Sequence, residues 1–459
     1  GGGYHYPSFG DRHAGFLIIS SKNNFKKHIP DIPYSAGDPD DPLKGVPGNM
    51  KALIIGAGIA AVSAMKAIRK QDPDMEITVY GDEGYFPYRR LRLTKDISQG
   101  LLSDALLIQK ESWYSENHIR FCKGTGATGL DPAGHRVILS DGTADEYSVL
   151  LLANGARSNV LPIKGIGRQG VYSLRTLPDA SVILKQAKRS RRILIIGGGV
   201  LGLELAWSLN QMGKEVVVAE AQPRLMPKQL DEKASRILLN VVQSCGVSIH
   251  TDTRIKEITG DSFATGFRTD NDLQEPCDMV IHSTGIRPNI ELVKGTGIRT
   301  NRGILVNSKM ETNLADIYAA GDIAEFENRV AGLWNCASLQ GEVAGSNMAG
   351  AERIYQAPAA ATIMNAFRTS LFSIGQVEKS SYDAAITDFD CESNRYRKIC
   401  FRGNRISGVV IIGSRKELPA LKKAMEEQAG FRSDEQNRTV SEFMQFLQEQ
   451  QQANKPMPQ

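Results

Sequence analysis

The 459-residue sequence has few cysteines, and none of them lie close together. The chain contains only six, and no two form a C-x-x-C or another close pair. Zinc sites and disulfide frameworks both depend on such spacing. We therefore expect reduced thiols, no bound metal ion and a cytoplasmic location. The cysteines are Cys122, Cys245, Cys277, Cys336, Cys391 and Cys400.

Long apolar runs and dense basic runs are also absent. No stretch approaches the roughly 20 apolar residues that a membrane-spanning helix needs, and the start has no basic-then-apolar secretory signal. The formal charge is only +4, and no Lys/Arg run is interleaved with aromatic residues. The sequence therefore indicates neither membrane nor nucleic-acid binding, whereas its mild positive charge suits an acidic protein partner.

The strongest positive signal lies between residues 192 and 220. A short apolar strand is followed by Gly197, Gly199 and Gly202 in G-x-G-x-x-G spacing, then by a helical run and a second strand that ends at Glu220. The glycines allow a tight turn, close approach of a pyrophosphate and close packing of helix on strand. Glu220 can accept the ribose hydroxyls and would repel a 2′-phosphate, so we expect NAD(H) rather than NADP(H). Arg224 lies near enough to leave NADPH open.

The same architecture occurs earlier in the chain. Gly56, Gly58 and Ala61 follow an apolar strand and open a helix, and the next strand leads to Asp82 and Glu83. Either acid could bind a ribose, and the sequence does not choose between them. Two such patterns predict two dinucleotides, most simply FAD and NAD(H), with electrons passing from one to the other.

The order of motifs resembles the two-dinucleotide flavoprotein reductases of the pyridine nucleotide-disulfide oxidoreductase type. The resemblance rests on the two glycine patterns, on ANGARSNVLP and STGIRPN at the domain crossovers, and on YAAGDIAE after them. Asn154 departs from the usual threonine of the first crossover. The positions of the redox cysteines read SAMKAIRK and FPYRRLRLTK, without cysteine. In lacking these cysteines, the sequence resembles the branch that contains ferredoxin and rubredoxin reductases, nitrite reductase flavoproteins and apoptosis-inducing factor.

This resemblance implies an α/β fold with two Rossmann-like domains and a small α+β C-terminal domain. The FAD-binding domain would comprise residues 51–160 and 289–360, and the NAD-binding domain residues 161–288. Residues 361–459 would form an interface domain that closes over the flavin, often dimerises and ends in a Gln-rich helix. Residues 1–50 read as an extension or linker of unknown role, in which only Gly15–Ser20 could be a strand.

The resemblance also implies roles for individual residues. Lys95 would pair with Glu204 beside the flavin, where the hydride is transferred. The simpler alternatives are that Lys95 is a solvated lysine and that Glu204 is an acid in the first turn of its helix. Arg175 is either a pyrophosphate contact or a surface arginine, and Trp334 either stacks near the flavin or wedges between domains. The remaining expected FAD contacts are Arg90, Ala127, Asp322, Leu333 and Phe372, and the remaining NAD contacts are Thr284 and Gly285.

The function implied by the resemblance is an NADH-dependent flavoprotein reductase. NADH would give a hydride to the flavin, which would then pass electrons to rubredoxin or ferredoxin. The stretch around Asp322 is most similar to NADH:rubredoxin oxidoreductases, whereas Lys95 fits the ferredoxin-reductase pattern better. Three alternatives stay open: a peroxide-forming NADH oxidase, an electron-input subunit of a larger complex, and an NADH-sensing interaction protein.

Overall fold

The computed structural model describes residues 50–98, 101, 104–359 and 361–453. The strand expected at 15–20 and nearly all of the N-terminal extension lie outside these residues. Within the described ranges, no helix is both long and apolar enough to cross a membrane.

Residues 50–158 begin with a parallel sheet in the order β7-β1-β2-β3, and β4, β5 and β6 form an antiparallel sheet beside it. β1 is buried over nearly its whole length, as its unbroken apolar sequence predicts for a parallel strand. The elements of this region are β1 (Lys51–Ile55), α1 (Ile59–Gln71), β2 (Glu76–Gly81), α2 (Leu93–Asp96), α3 (Glu111–Glu116), β3 (Ile119–Lys123), β4 (Ala127–Asp131), β5 (Arg136–Leu139), β6 (Ala144–Glu146), β7 (Val149–Leu152) and β8 (Ala156–Ser158).

Residues 159–288 repeat this arrangement. Five parallel strands lie in the order β12-β11-β10-β16-β9, and β13, β14 and β15 form a second antiparallel sheet. The elements are β9 (Val171–Ser173), α4 (Leu177–Arg189), β10 (Arg192–Ile196), α5 (Val200–Gln211), β11 (Glu215–Ala219), α6 (Glu232–Ser244), β12 (Ser248–His250), β13 (Ile255–Thr259), β14 (Gly266–Thr269), β15 (Gln274–Pro276), β16 (Met279–His282) and β17 (Ile286–Pro288).

The chain crosses between the two parallel sheets on an antiparallel pair, β8 with β17. It then returns to the first sheet, where β19 pairs with β7 and completes five strands. The returning elements are β18 (Ile304–Leu305), β19 (Ile317–Ala319), β20 (Ala324–Glu325) and α7 (Trp334–Met348). Two parallel sheets of matching order confirm the predicted fold class, and the domain boundaries stay a prediction.

The C-terminal region is a five-stranded antiparallel sheet, in the order β21-β22-β25-β24-β23, with three helices. The alternating segments TSLFSIGQV, RYRKICFRG and ISGVVIIG predict three of these strands, and KELPALKKAMEEQ predicts the first helix, whereas β21 and β23 were not predicted. The elements are β21 (Ala361–Ala366), β22 (Thr369–Gly375), β23 (Ala384–Asp390), β24 (Arg395–Arg402), β25 (Arg405–Ile412), α8 (Leu418–Glu426), α9 (Ser433–Gln436) and α10 (Val440–Ala453).

Both faces of this C-terminal sheet are covered. One face packs beneath α8 and α10, and the other joins the hydrophobic core of the second parallel sheet. A buried ion pair spans that second interface, with Lys398 Nζ 2.7 Å from an Asp231 carboxylate oxygen. The Tyr396 hydroxyl donates to the same oxygen at 2.9 Å. The C-terminal sheet is therefore attached to the second dinucleotide region through apolar and charged contacts together.

Helices α1 and α7 pack closely because two glycines of α7 face the backbone of α1. A Cβ atom at Gly341 would lie 2.1 Å from the Ala60 carbonyl oxygen, and one at Gly345 would lie 2.4 Å from the Ala64 carbonyl oxygen. No side chain fits at these distances. The close approach aligns the beginning of α7 with the beginning of α1, where the first glycine pattern lies.

Replacing Gly341 by alanine is therefore expected to destabilise the protein. The added methyl group overpacks the contact and should lower the free energy of unfolding by about 2 kcal/mol. Thermal and denaturant unfolding measure the change. Gly167→Ala is the matched control, because a Cβ there meets no atom within 4 Å. An unfolding free energy for Gly341→Ala equal to that of the control would contradict the packing described.

Candidate active site

The first glycine pattern forms an open cradle at the beginning of α1. Gly56 has a φ of +109°, and a Cβ there would lie 2.2 Å from the Ala153 carbonyl oxygen, so glycine is required. Gly58 directly precedes α1, and a Cβ there would meet no atom within 4 Å. Ala61 is fully buried on the helix. The exposed backbone at this helix N-terminus is suited to a pyrophosphate.

A cavity of about 300 Å³ continues from this cradle. Asp82 and Ala127 line it, together with Asn154 from the first crossover. The Asn154 Oδ1 atom is buried and has no hydrogen-bond partner among the described residues. A buried acceptor of this kind is costly unless a ligand satisfies it. The cavity, its carboxylate and its unpaired amide oxygen therefore fit the ribose and adenine half of a dinucleotide.

The structure separates the two acids that the sequence left equivalent. Asp82 lines the cavity, whereas Glu83 accepts a hydrogen bond from the Tyr88 hydroxyl at 2.6 Å and forms an ion pair with Arg90. Burial raises the pKa of Tyr88, so the hydroxyl stays protonated and donates. Glu83 is thus engaged in holding Arg90, and Asp82 is the acid that faces the cavity. Tyr88 was missed in the sequence, where only its place beside Pro87 could have drawn attention.

Three expected cofactor contacts from distant parts of the sequence meet beyond this cluster. Arg90 donates to the Arg175 carbonyl oxygen at 3.2 Å. Arg175 in turn pairs with Asp322 at 2.5 Å and donates from Nε to the Ala156 carbonyl oxygen at 2.9 Å. Arg175 precedes Thr176, the N-cap residue of α4, and the capping-box residue Asp179 also accepts the Arg175 N–H at 3.1 Å. Arg175 therefore belongs to a connected group of polar residues, and its contact with a pyrophosphate stays a prediction.

The beginning of α7 lies beside the same group. Leu333 and Trp334 are both half-buried at its first turn. Gln340, nearly two turns further along, accepts the Gly321 N–H at 2.9 Å and so fixes the backbone next to Asp322. The helix N-terminus therefore supplies a positive partial charge next to the Asp322 loop. Stacking by Trp334 stays a prediction.

Phe372 does not join these residues. Its side chain is fully buried in the C-terminal core, on the sheet face covered by α8 and α10. Side chains alternate between the two faces of a strand, and both faces of this sheet are buried, so the apolar sequence could not tell which face Phe372 takes. The expectation that Phe372 contacts the flavin is corrected accordingly.

The second glycine pattern forms an equivalent cradle at the beginning of α5. Gly197 has a φ of +112°, and a Cβ there would lie 2.4 Å from the Ser283 carbonyl oxygen. A Cβ at Gly202 would lie 2.1 Å from the Gly197 carbonyl oxygen, whereas Gly199 faces open space. This spacing of two crowded glycines and one open glycine fits a second pyrophosphate.

The acid and crossover residues of the second cradle lie at the same sheet edge. Glu220 follows β11 and accepts backbone N–H groups from Gly198 at 2.7 Å and Gln222 at 2.8 Å. Thr284 follows β16 and donates to the Asn159 carbonyl oxygen at 3.0 Å, and Gly285 has a φ of +92°. All three residues lie where a nicotinamide dinucleotide would bind by the Rossmann rule.

Arg224 does not accompany Glu220. Its guanidinium forms an ion pair with Glu378 of the C-terminal region and also donates to the Pro227 carbonyl oxygen. Arg224, the cation that could have favoured NADPH, is thus already paired with a carboxylate. The negative charge of Glu220 is therefore not offset by Arg224 at the expected ribose position.

One ion pair connects α2, in the first dinucleotide region, with α5, the helix of the second cradle. Lys95 Nζ, from α2, lies 3.2 Å from the Glu204 Oε1 atom on α5. The Glu204 side chain is 4% exposed, whereas Lys95 is 35% exposed. A carboxylate this buried is retained only with a partner. Two neighbours, Thr94 and Ser208, also join this contact, and neither was predicted from the sequence.

The chain is similar to several known proteins. Residues 50–341 match the pyridine nucleotide-disulphide oxidoreductase family, and residues 361–429 match the C-terminal domain of rubredoxin NAD+ reductase. The NADH-rubredoxin oxidoreductase of Clostridium acetobutylicum is 32% identical over 381 residues, which are 83% of this chain and 96% of that protein. Its crystal structure superposes with a TM-score of 0.72 at 30% identity, covering 87% of this chain and 100% of that one.

Two further relatives differ in extent. The nitrite reductase [NAD(P)H] of Bacillus subtilis is 32% identical over 384 residues, 83% of this chain, and the chain spans only 48% of that protein's length. The ferredoxin–NAD(+) reductase component of the biphenyl dioxygenase system of Paraburkholderia xenovorans is 28% identical over 300 residues, covering 64% of this chain and 74% of that protein.

Proposed function

The chain belongs to the pyridine nucleotide-disulphide oxidoreductase family, and from that premise we propose that it passes electrons from NADH through FAD to rubredoxin. It is an oxidoreductase with FAD and NAD(H) as its cofactors. The observation that carries the proposal is the Lys95–Glu204 ion pair, because it joins α2 of the first dinucleotide region to α5, the helix of the second cradle. The names of the rubredoxin and ferredoxin reductases among its relatives support a small carrier protein as the acceptor.

Bound FAD supplies both the hydride acceptor and the donor of electrons to a carrier. We assign its pyrophosphate to the first cradle and its ribose to Asp82. Arg90, Arg175 and Asp322 form a connected polar chain along the route from that cradle to the beginning of α7. These residues orient the cofactor and exclude competing positions, so that reaction begins from an aligned complex.

We assign NADH to the second cradle, with the nicotinamide end toward Thr284 and Gly285. Glu220 receives the ribose hydroxyls in place of part of its present backbone contacts. Lys95 and Glu204 hold α2 against α5, and thereby hold the two cofactor sites in register. The distance over which a hydride can be transferred is short, so small displacements between the sites cost rate.

The cysteines support direct transfer to a carrier without a thiol relay. All six are free in the structure. Cys336, in the first turn of α7, is buried, and burial raises the pKa of its thiol. A thiol held protonated is a poor nucleophile and a poor redox relay.

Steady-state turnover with different acceptors tests this proposal. NADH oxidation should accelerate about tenfold or more when rubredoxin is added to the air-saturated assay, because the carrier is expected to accept electrons from the reduced flavin faster than oxygen does. Ferredoxin is run in parallel, and peroxide yield is measured without a carrier. Peroxide formation as fast as carrier reduction would favour an NADH oxidase and contradict the proposal.

An electron-input role in a larger assembly has separate support. The chain spans about half of the Bacillus subtilis nitrite reductase, so an equivalent flavin unit could serve a partner that supplies the remaining chemistry. Purification of the native complex from its source distinguishes the roles. A stable stoichiometric partner, with slow turnover of added rubredoxin, would favour the assembly.

Asp82→Ala is expected to weaken FAD retention. Losing a carboxylate that accepts two ribose hydroxyls should raise the dissociation constant of FAD by about tenfold or more. Flavin fluorescence after dilution measures the dissociation. Glu76→Ala, at the opposite end of β2, is the matched control and should leave retention unchanged. Equal retention by both variants would mean that Asp82 does not bind the ribose.

A further inference from the structure

The contact between α2 and α5 contains more than one ion pair. Three polar side chains lie within it and are almost fully buried: Thr94 is 3% exposed, Glu204 4% and Ser208 5%. Thr94 belongs to the segment that follows the first cradle, and the other two belong to the helix of the second. Burial of polar groups at one contact is unfavourable unless every group has a partner.

The two carboxylate oxygens of Glu204 have different partners. Oε1 lies 3.2 Å from Lys95 Nζ as an ion pair but accepts no hydrogen bond among the described residues, whereas Oε2 accepts a hydrogen bond from the Thr94 hydroxyl at 2.9 Å. Lys95 is partly solvated on a long side chain with many rotamers, whereas the Thr94 hydroxyl is buried on a branched side chain with few rotamers. Thr94 is therefore the partner that fixes the orientation of the carboxylate.

Ser208 completes the contact from the other side. It lies one turn after Glu204 on α5, and its hydroxyl donates to the Thr94 carbonyl oxygen at 2.6 Å. Thr94 thus donates to one residue of α5 and accepts from the next residue on the same helix face. These two hydrogen bonds have opposite directions, so α2 can neither rotate nor slide along α5 without breaking one of them.

We propose that Thr94 and Ser208 are positioning residues for the Lys95–Glu204 pair, and that they set the alignment of the two cofactor sites for hydride transfer. This inference rests on the proposed function. Neither side chain needs to touch NADH or FAD. Both act through Glu204 and through the backbone of α2, so their removal should lower the rate of hydride transfer more than the affinity for NADH.

Thr94→Val tests the proposal, since valine keeps the shape and removes the hydroxyl. In single-turnover reduction of the FAD-loaded protein by NADH, the limiting rate should fall about tenfold, as for loss of a hydrogen bond to a charged group, with the apparent dissociation constant of NADH within about twofold. Thr94→Ser should restore the rate. An unchanged limiting rate, or a change confined to NADH affinity, overturns the proposal.

Thr78→Val is the matched control. Thr78 is also fully buried in the first parallel sheet, but its hydroxyl has no hydrogen-bond partner among the described residues. The same substitution there should leave the limiting rate unchanged. A loss equal to that of Thr94→Val would mean that any buried threonine gives this effect, and would overturn the positioning role.

Hydrogen–deuterium exchange provides a readout that does not depend on turnover. In cofactor-free and FAD-loaded protein, Thr94→Val and Ser208→Ala should each increase exchange in the peptide containing α2, and Thr94→Ser should not. The double variant should lose little more rate than Thr94→Val alone, because both residues act on one unit. Unchanged exchange or fully additive rate losses overturn the proposal.

The exchange measurement also distinguishes failure of the proposed function from failure of the positioning role. If wild-type protein loaded with FAD is not reduced by NADH, the proposed function fails, and the exchange data still decide whether Thr94 and Ser208 hold α2 on α5. If wild-type protein is reduced and Thr94→Val is reduced equally fast, the positioning role alone fails.

Discussion

Replacing Glu204 by glutamine is expected to slow the reduction of bound FAD by NADH about 100-fold, or roughly 2.7 kcal/mol of activation free energy. The substitution keeps the size of the side chain and the acceptor for Thr94, and it removes the negative charge that holds Lys95. An unpaired ammonium then turns toward solvent, to which Lys95 already has access. The positive charge of Lys95 is then lost from the contact between α2 and α5, although the Thr94 and Ser208 hydrogen bonds still hold the two helices together.

Single-turnover absorbance at the flavin band measures this effect. Glu232→Gln, at an exposed position of α6, is the matched control and should keep the wild-type rate. Lys95→Met combined with Glu204→Gln should be no slower than the slower single variant, because the two residues form one unit. A Glu204→Gln protein reduced at the control rate would remove the main structural support for the proposed function.

The second large effect is expected at Glu220. Glu220→Ala should narrow the preference for NADH over NADPH about 30-fold, since it removes both an acceptor for the ribose hydroxyls and a charge that repels a 2′-phosphate. NADH binding weakens in this variant. NADPH binding does not become strong, because Arg224 stays paired with Glu378.

The ratio of kcat/KM values for the two nucleotides reports this preference directly. Glu215→Ala, at the beginning of the strand β11 that precedes Glu220, is the matched control, and its ratio should equal that of the wild type. If Glu220→Ala keeps the wild-type ratio, discrimination resides elsewhere in the second cradle.

The sequence predicted the parts of the site that depend on local geometry. Gly56 and Gly197 each follow a buried strand and adopt a positive φ. Glycine at these positions predicts that conformation, because it lacks a Cβ. The two parallel sheets followed from the same strands and helices. Local patterns sufficed here because a phosphate cradle is built from one turn of consecutive chain.

Contacts between segments that are distant in the sequence could not be predicted from local patterns. Asp82 and Glu83 are adjacent and chemically alike, and only the fold shows that one faces the cavity while Arg90 engages the other. The placement of Lys95 against Glu204 came from family resemblance, and no residue pattern led to Thr94 or Ser208. Such partners are separated by more than 100 residues, so their meeting depends on how the two sheets pack.

The most direct test of the account is double-mixing stopped-flow spectroscopy. FAD-loaded protein is first reduced anaerobically with one equivalent of NADH, and is then mixed with rubredoxin, with ferredoxin or with air-saturated buffer. We predict rapid bleaching of the flavin by NADH, followed by reoxidation that is much faster with rubredoxin than with oxygen. Reoxidation by rubredoxin at the rate seen with air, or a flavin that NADH does not bleach, would contradict the account.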